Sequence, residues 1–350
     1  MEGSSGFLTN IFNTRLWLDL GSVFIYETDC QPLVNRKNLD NIIKAVRKLW
    51  FNRSARKIIK EKRIMPIKKI LVIGAGTMGG GIAQLCAQQG LDAVITDISQ
   101  DLVDQAKSRI ESGLARRVAN DKITEEEKEA VLSHILTASD LSVAGEADIV
   151  IECIVEDLEI KKKLFSELDK LARPEVILAT NTTSLSISAM AAATSRPDKV
   201  VQMHFFNPPV IMKLVEIMPG QKTSQETLDA AKAFAKQLGK DPVVCKNEAP
   251  AGIVSRILGQ LLNEATWLVA SGVAAAADVD KAMKLGANHP MGPLQLVDMI
   301  GLDIHRAKME TLYTTLDDPR YKHPKLLDEM IAAGNLGKKS GKGFYEYGDK

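Results

Sequence analysis

ILVIGAGTMGGGIAQLCAQQGLDAVITD, residues 70–97, decides the fold. Ile70–Ile73 is an apolar run of strand length that enters Gly74-Ala75-Gly76-Thr77-Met78-Gly79. A helical stretch follows from Gly80 to Gln89, and a second apolar strand, Ala93–Ile95, ends near Asp97. Gly74 permits a tight turn, Gly76 lets the backbone approach a pyrophosphate, and Gly79 lets helix and strand pack closely. The helix start supplies free N–H groups and a partial positive charge to the phosphates. Asp97 lies 18 residues beyond Gly79, where a carboxylate accepts from a ribose diol and repels a 2′-phosphate. Strand, glycine loop, helix, strand and acid in this order predict a dinucleotide-binding βαβ unit that takes NAD rather than NADP.

Around this unit the composition is that of an ordinary globular enzyme. The 350 residues are 45% hydrophobic and 25% charged, with a net charge of +1, which gives no reason to expect nucleic acid or a membrane surface as a partner. Cys30, Cys86, Cys153 and Cys245 lie far apart, with neither CxxC nor metal-ligand spacing. They read as small apolar residues in a reducing, cytoplasmic setting, and no metal site is expected. No apolar stretch approaches the ~20 residues that span a bilayer.

Residues 1–64 differ from the rest. They hold twelve Lys/Arg against six Asp/Glu, a net of +6, which leaves −5 for residues 65–350. Ile42, Ile43, Val46, Leu49 and Trp50 have helical spacing among basic residues, a pattern of surface-seeking helices. The segment carries no dinucleotide or catalytic signature. The expectation is an upstream basic extension outside the enzyme, with the first domain starting at Met65.

Downstream, residues 99–134 read as helical and charged, with Thr124 as an N-cap before Glu125-Glu126-Glu127. Strands are expected at Ala147–Ile151, Val176–Thr180, Val200–His204 and Lys213–Met218, with a short one at Pro242–Cys245. Helices are expected near Leu158–Leu171 and Gln225–Leu238. From Gly252 onward the pattern is almost wholly helical, and Asn247-Glu248-Ala249-Pro250-Ala251-Gly252 marks the boundary. The fold class is therefore α/β: a Rossmann-type dinucleotide-binding domain at 65–250, then an all-α C-terminal domain at 251–350.

Oxidising an alcohol requires a base, and histidine has a suitable pKa. Of the five histidines, His134 follows a charged helix, His289 sits in a turn, and His305 and His323 fall in the helical half. His204 ends an apolar strand of the nucleotide domain, where ligands of open α/β sheets gather. Glu216 lies twelve residues on, across Asn207-Pro208-Pro209. If the second strand folds back on the first, the carboxylate can fix the imidazole tautomer and stabilise the imidazolium. Apolar neighbours Leu214, Val215, Ile217 and Met218 also demand a partner for that carboxylate.

Seven stretches now occur in a telling order: Gly74–Gly79 with Asp97, Ile151–Glu156, Asn181-Thr182-Thr183-Ser184-Leu185, His204-Phe205-Phe206-Asn207-Pro208, Met212–Glu216, His289-Pro290-Met291-Gly292-Pro293 and Gly341-Lys342-Gly343-Phe344-Tyr345. Together they resemble the L-3-hydroxyacyl-CoA dehydrogenases, particularly the monofunctional bacterial 3-hydroxybutyryl-CoA type, over residues 66–348. The resemblance implies NAD-dependent interconversion of short-chain 3-hydroxyacyl-CoA and 3-oxoacyl-CoA, with His204 as the acid–base and Glu216 orienting it. It implies that Thr183 bonds the reacting oxygen beside the cofactor, that Glu156 and Lys161 flank the nicotinamide ribose, and that Asn207 and Lys339 contact the cofactor. It also implies a homodimer through the helical domain. Two positions depart from the family pattern. Thr183 stands where serine is common, keeping the hydroxyl. Ser255 stands where an asparagine bonds substrate oxygens, and its side chain is shorter. For coenzyme A the helix 105–122 offers Arg116, Arg117 and Lys122, with weak correspondence to the family's contacts. Two rival readings are a lambda-crystallin-like sugar-acid (L-gulonate) dehydrogenase, against which Met212-Lys213-Leu214-Val215-Glu216 speaks, and a non-enzymatic NAD-binding protein, which has no need of a His/Glu pair.

Overall fold

The computed structural model describes residues 14–19, 22–27 and 67–348. The chain divides into two units, Met1–Met65 and Pro66–Lys350. In the first, β1 (Thr14–Asp19) and β2 (Ser22–Glu27) form an antiparallel hairpin. The helical pattern at 40–51 lies outside the described residues.

The second unit begins with the deciding stretch. β3 (Lys69–Ile73) leads into α1 (Thr77–Gln88), and β4 (Asp92–Thr96) pairs parallel with β3. Then come α2 (Gln100–Ala119), α3 (Glu125–Ser133) and β5 (Ile135–Ala138). Thr124 and Glu127 close a capping box at the start of α3, bonding each other's backbone N–H groups. The helical stretch expected at 99–134 is two helices, the second starting at the Thr124 cap the sequence offered, and Lys122 lies in the turn between them rather than on the first. Strand β5 is an addition to the sequence reading.

β6 (Ile149–Glu152), α4 (Leu158–Leu171), β7 (Ile177–Thr180), the short α5 (Ile187–Ala191), β8 (Val200–Phe205) and β9 (Leu214–Pro219) follow. Helix α6 (Gln225–Gln237) and strand β10 (Asp241–Val244) end this part. The eight strands run in the order β10-β9-β8-β7-β6-β3-β4-β5. All neighbours are parallel except β8 and β9, which turn back on each other. Both sheet faces are covered, as continuous apolar strands require. One face packs Ile70, Val72, Ile151 and Met203 under Ile82, Leu114 and Phe234, and the other packs Leu71, Val150 and Leu178 under Phe165, Leu168 and Met190.

The remainder is helical: α7 (Val254–Ala270), α8 (Ala276–Gly286), α9 (Pro293–Ile300), α10 (Leu302–Leu316) and α11 (Lys325–Ala332). Its last segment is not α-helical and holds only a 3-10 turn, Lys338–Ser340. Residues 337–346 fold back through bridges Gly337↔Lys342 and Lys342↔Glu346. Among the described residues no helix is long and apolar enough to cross a membrane.

Candidate active site

The strand order reverses direction between β3 and β6, so their C-terminal ends open a crevice suited to a dinucleotide. Helix α1 starts at this crevice without a side-chain cap, leaving its first N–H groups for a phosphate. A Cβ on Gly79 would lie 1.8 Å from the Gly74 carbonyl oxygen, so glycine is obligatory there. A Cβ on Gly76 would meet nothing within 4 Å, which is the open space a pyrophosphate needs. Gly76 and Thr77 are exposed, Met78 is half-buried, and Ala75 is buried. Asp97 accepts from the Ala75 N–H at 2.6 Å and the Ile98 N–H at 2.7 Å, which fixes its carboxylate beside the loop. Arg109 of α2, unremarked in the sequence reading, donates to the Ala75 carbonyl at 2.7 Å. These residues fit the adenosine side of a dinucleotide.

His204 and Glu216 are register partners across the antiparallel β8–β9 pair. Their side chains meet with Nδ1 3.5 Å from Glu216 Oε2, and both residues are buried. Glu216 Oε1 also accepts the Val254 N–H at 2.8 Å, so the first turn of α7 is tied to the His204–Glu216 pair. Burial pushes the Glu216 carboxyl upward. The His204 ring and the Val254 and Ile253 N–H groups outweigh that and hold it below its ordinary value. An ionised Glu216 on Nδ1 leaves Nε2 to exchange a proton with a bound alcohol. The Phe206 ring lies 4.4 Å from the imidazole, centroid to centroid, and limits its rotation.

Thr183 is half-buried in the turn after β7, and Ser255 is half-buried as the second residue of α7, next to the Val254 that bonds Glu216. Asn207 is exposed on the loop between β8 and β9. Glu156 gathers the Thr183 turn: its Oε1 accepts the hydroxyls of Thr182 and Ser184. Lys161 is 1% exposed, pairing with Glu152 Oε1 at 2.5 Å and with Glu156 Oε2 at 3.3 Å. Glu152, Thr180, Thr182 and Ser184 were not singled out from sequence. The signal was present in Glu152, a carboxylate ending an apolar strand, which needs a partner for the same reason as Glu216. Lys339 pairs with Asp303 of α10 at 2.6 Å, within the helical part of the chain. Arg116, Arg117 and Lys122 are all exposed. Cys86 and Cys153 are free thiols made less acidic by burial, Cys86 up to about 12, and neither is a nucleophile.

An alcohol held against a buried His–Glu pair, beside a dinucleotide crevice, is placed to lose a proton and a hydride; fold and site together define a dinucleotide-dependent dehydrogenase. Residues 69–249 match the family "3-hydroxyacyl-CoA dehydrogenase, NAD binding domain", and residues 253–347 match "3-hydroxyacyl-CoA dehydrogenase, C-terminal domain". The chain belongs to the 3-hydroxyacyl-CoA dehydrogenase family. It is 45% identical to the 3-hydroxybutyryl-CoA dehydrogenase of Clostridioides difficile, over 80% of this chain and 99% of that one. It is 42% identical to the human mitochondrial hydroxyacyl-coenzyme A dehydrogenase, over 84% of this chain and 93% of that one. The crystal structure of (S)-3-hydroxybutyryl-CoA dehydrogenase from Ralstonia eutropha superposes with a TM-score of 0.79 at 44% identity, covering 81% of this chain and all of that one.

Proposed function

We propose that the chain interconverts short-chain L-3-hydroxyacyl-CoA and 3-oxoacyl-CoA with NAD, 3-hydroxybutyryl-CoA being the leading substrate. The observation that carries this is the buried His204–Glu216 pair in direct register across β8 and β9, in a chain of this family. In oxidation His204 Nε2 takes the hydroxyl proton while ionised Glu216 stabilises the imidazolium; in reduction the proton returns to the carbonyl oxygen. NAD, when bound, accepts or returns the hydride at the β-carbon. Gly74–Gly79 and Asp97 hold its adenosine side, with Glu156, Lys161, Asn207 and Lys339 serving the nicotinamide side. Asp97 favours NAD, because a second anion beside this carboxylate is repelled. Thr183 donates to the reacting oxygen, and Ser255 supports the same oxygen directly or through a water. Arg116, Arg117 and Lys122 are the candidate contacts for the coenzyme A phosphates.

A homodimer is the natural assembly. Ile257, Val273 and Leu285 are 64%, 69% and 77% exposed. An apolar cavity of about 490 Å³ opens among Leu261, Ala265, Leu268, Val279 and Met283 on α7 and α8. The three described cysteines are free thiols, consistent with work in the cytoplasm.

The test is NADH consumption by the purified full chain with acetoacetyl-CoA, alongside free acetoacetate, L-gulonate with NAD, and NADPH in place of NADH. The expected result is turnover of the thioester with NADH, and at least about tenfold less with the other combinations. Turnover of L-gulonate without turnover of the thioester would overturn the reading.

A further inference from the structure

Glu152, at the C-terminal end of β6, is wholly buried and fully bonded. Its Oε1 accepts the Lys161 ammonium at 2.5 Å and the Ile154 N–H at 2.7 Å, and its Oε2 accepts the Thr180 hydroxyl at 2.7 Å. Lys161 extends from α4 to stand between Glu152 and Glu156. Glu156 then accepts the Thr182 hydroxyl, the Ser184 hydroxyl at 2.9 Å, and the Thr183 and Ser184 N–H groups at 3.4 Å. The Thr182 N–H returns to the Thr180 hydroxyl at 3.2 Å, closing the circuit. Two carboxylates thus share one ammonium, and their hydrogen bonds end on the backbone that carries Thr183.

We propose that Glu152 is a positioning residue: through Lys161 it fixes Glu156, and through Glu156 it fixes the turn that presents Thr183. This rests on the functional reading above only for the role of Thr183. The division of the ammonium is the operative feature. With the Glu152 carboxylate in place, Lys161 is held at 2.5 Å on the strand side and 3.3 Å from Glu156 Oε2, so the Glu156 carboxylate stays turned with Oε1 on the Thr182–Ser184 turn. Partial burial pushes the Glu156 carboxyl up, yet the Thr182 and Ser184 hydroxyls and the Lys161 ammonium hold it below its ordinary value and ionised. With an uncharged side chain at position 152, the ammonium has one counter-charge left and closes on Glu156 Oε2. The carboxylate then swings toward the ammonium and draws Oε1 away from the turn.

Glu152→Gln keeps the side-chain shape and the acceptor for the Ile154 N–H while removing the charge, and Thr180→Val removes one donor and leaves both charges. The first measurement is amide hydrogen exchange in the full chain without ligand. Glu152→Gln should speed exchange at Thr182, Ser184 and Leu185 about tenfold, with α1 and α2 unchanged. The second is a double-mutant cycle with Thr183→Val, read as kcat with acetoacetyl-CoA and NADH. Glu152→Gln should lower kcat roughly tenfold with KM moving less than about threefold, and should cost less than about twofold once Thr183 is valine. Thr180→Val should move exchange and kcat in the same direction by a smaller factor, and carries the cycle if the glutamine variant is insoluble. Unchanged exchange in the turn, or an equal loss of kcat in both backgrounds, overturns the proposal. Absence of wild-type turnover with normal exchange results removes the functional reading alone.

Discussion

The acid–base role proposed for His204 rests on two residues that touch it. Glu216 supplies the counter-charge at 3.5 Å, and Phe206 blocks one side of the ring. Replacing His204 by glutamine keeps polarity and volume while removing the titratable nitrogen. NADH affinity should stay within about twofold, and kcat should fall about 10²–10⁴-fold, as expected for the loss of one general base. Fluorescence titration and steady-state rates measure the two quantities, and a kcat within tenfold of wild type would move the proton to another residue. Ser255 tests the opposite direction. It follows Val254, whose N–H is already committed to Glu216, so its backbone is anchored next to the His204–Glu216 pair. Ser255→Asn adds reach toward a substrate oxygen; a net hydrogen bond of about 0.5–1.5 kcal/mol gives a rise in kcat of up to roughly tenfold. A fall in kcat, with Ser255→Ala matching wild type, would show that serine has no part in the chemistry.

Elements explain why some of this was legible. Helix α4 runs from Leu158 to Leu171 as its sequence predicts, because Asp157 caps it and its apolar residues recur at helical spacing. The His204–Glu216 pairing was legible too, since two apolar strands joined by a short loop can only fold back on each other. Strand β5 was not: Ile-Leu-Thr-Ala is four residues, buried at Ile135 alone among the first three, and shows no period of its own. It exists because β4 offers an edge. The Glu156–Thr182 and Glu156–Ser184 bonds span 26 and 28 residues across α4 and β7, so no local spacing announces them. The approach of α7 to the site was implied only by the resemblance that brought Ser255 there, not by any local spacing, and it hinges on Gly252. That residue has φ +55°, and a Cβ there would lie 2.5 Å from Glu216 Oε2. Gly252→Ala should therefore displace the carboxylate from His204. The left-handed backbone adds a destabilisation of about 1–2 kcal/mol. Urea unfolding should report that loss, and kcat should fall at least about tenfold while NADH affinity holds. Wild-type kcat in this variant would mean that Glu216 can retreat without consequence.

Over the whole molecule, the sheet owns a large core on each face, while the helical part is held by three smaller clusters and a polar latch. Asp298 is completely buried and accepts the Phe344 and Tyr345 N–H groups and the Tyr347 hydroxyl, pinning the C-terminal tail that carries Lys339. The same part of the chain buries His305, whose Nε2 has no hydrogen-bond partner among the described residues. Burial, aided by the nearby positive charges of Lys308 and His323, lowers its pKa from 6.5 to about 4. A lowered base destabilises the fold on the acid side. Between pH 6.5 and 4 the unfolded chain binds a proton that the native chain refuses, so stability is full above 6.5 and declines as pH falls through that window. Carboxylates held low, such as Glu216 and Glu156, lose their contribution only at lower pH, below their ordinary value of 4.5. The slope between pH 6.5 and 4.5 is thus the signature of His305. Unfolding in urea should show about 2 kcal/mol less stability at pH 5 than at pH 7. In His305→Leu, which fills the site and removes the titration, the difference should shrink below about 0.5 kcal/mol. An unchanged slope in the leucine variant would assign the acid sensitivity to another group, with His323 the next to replace.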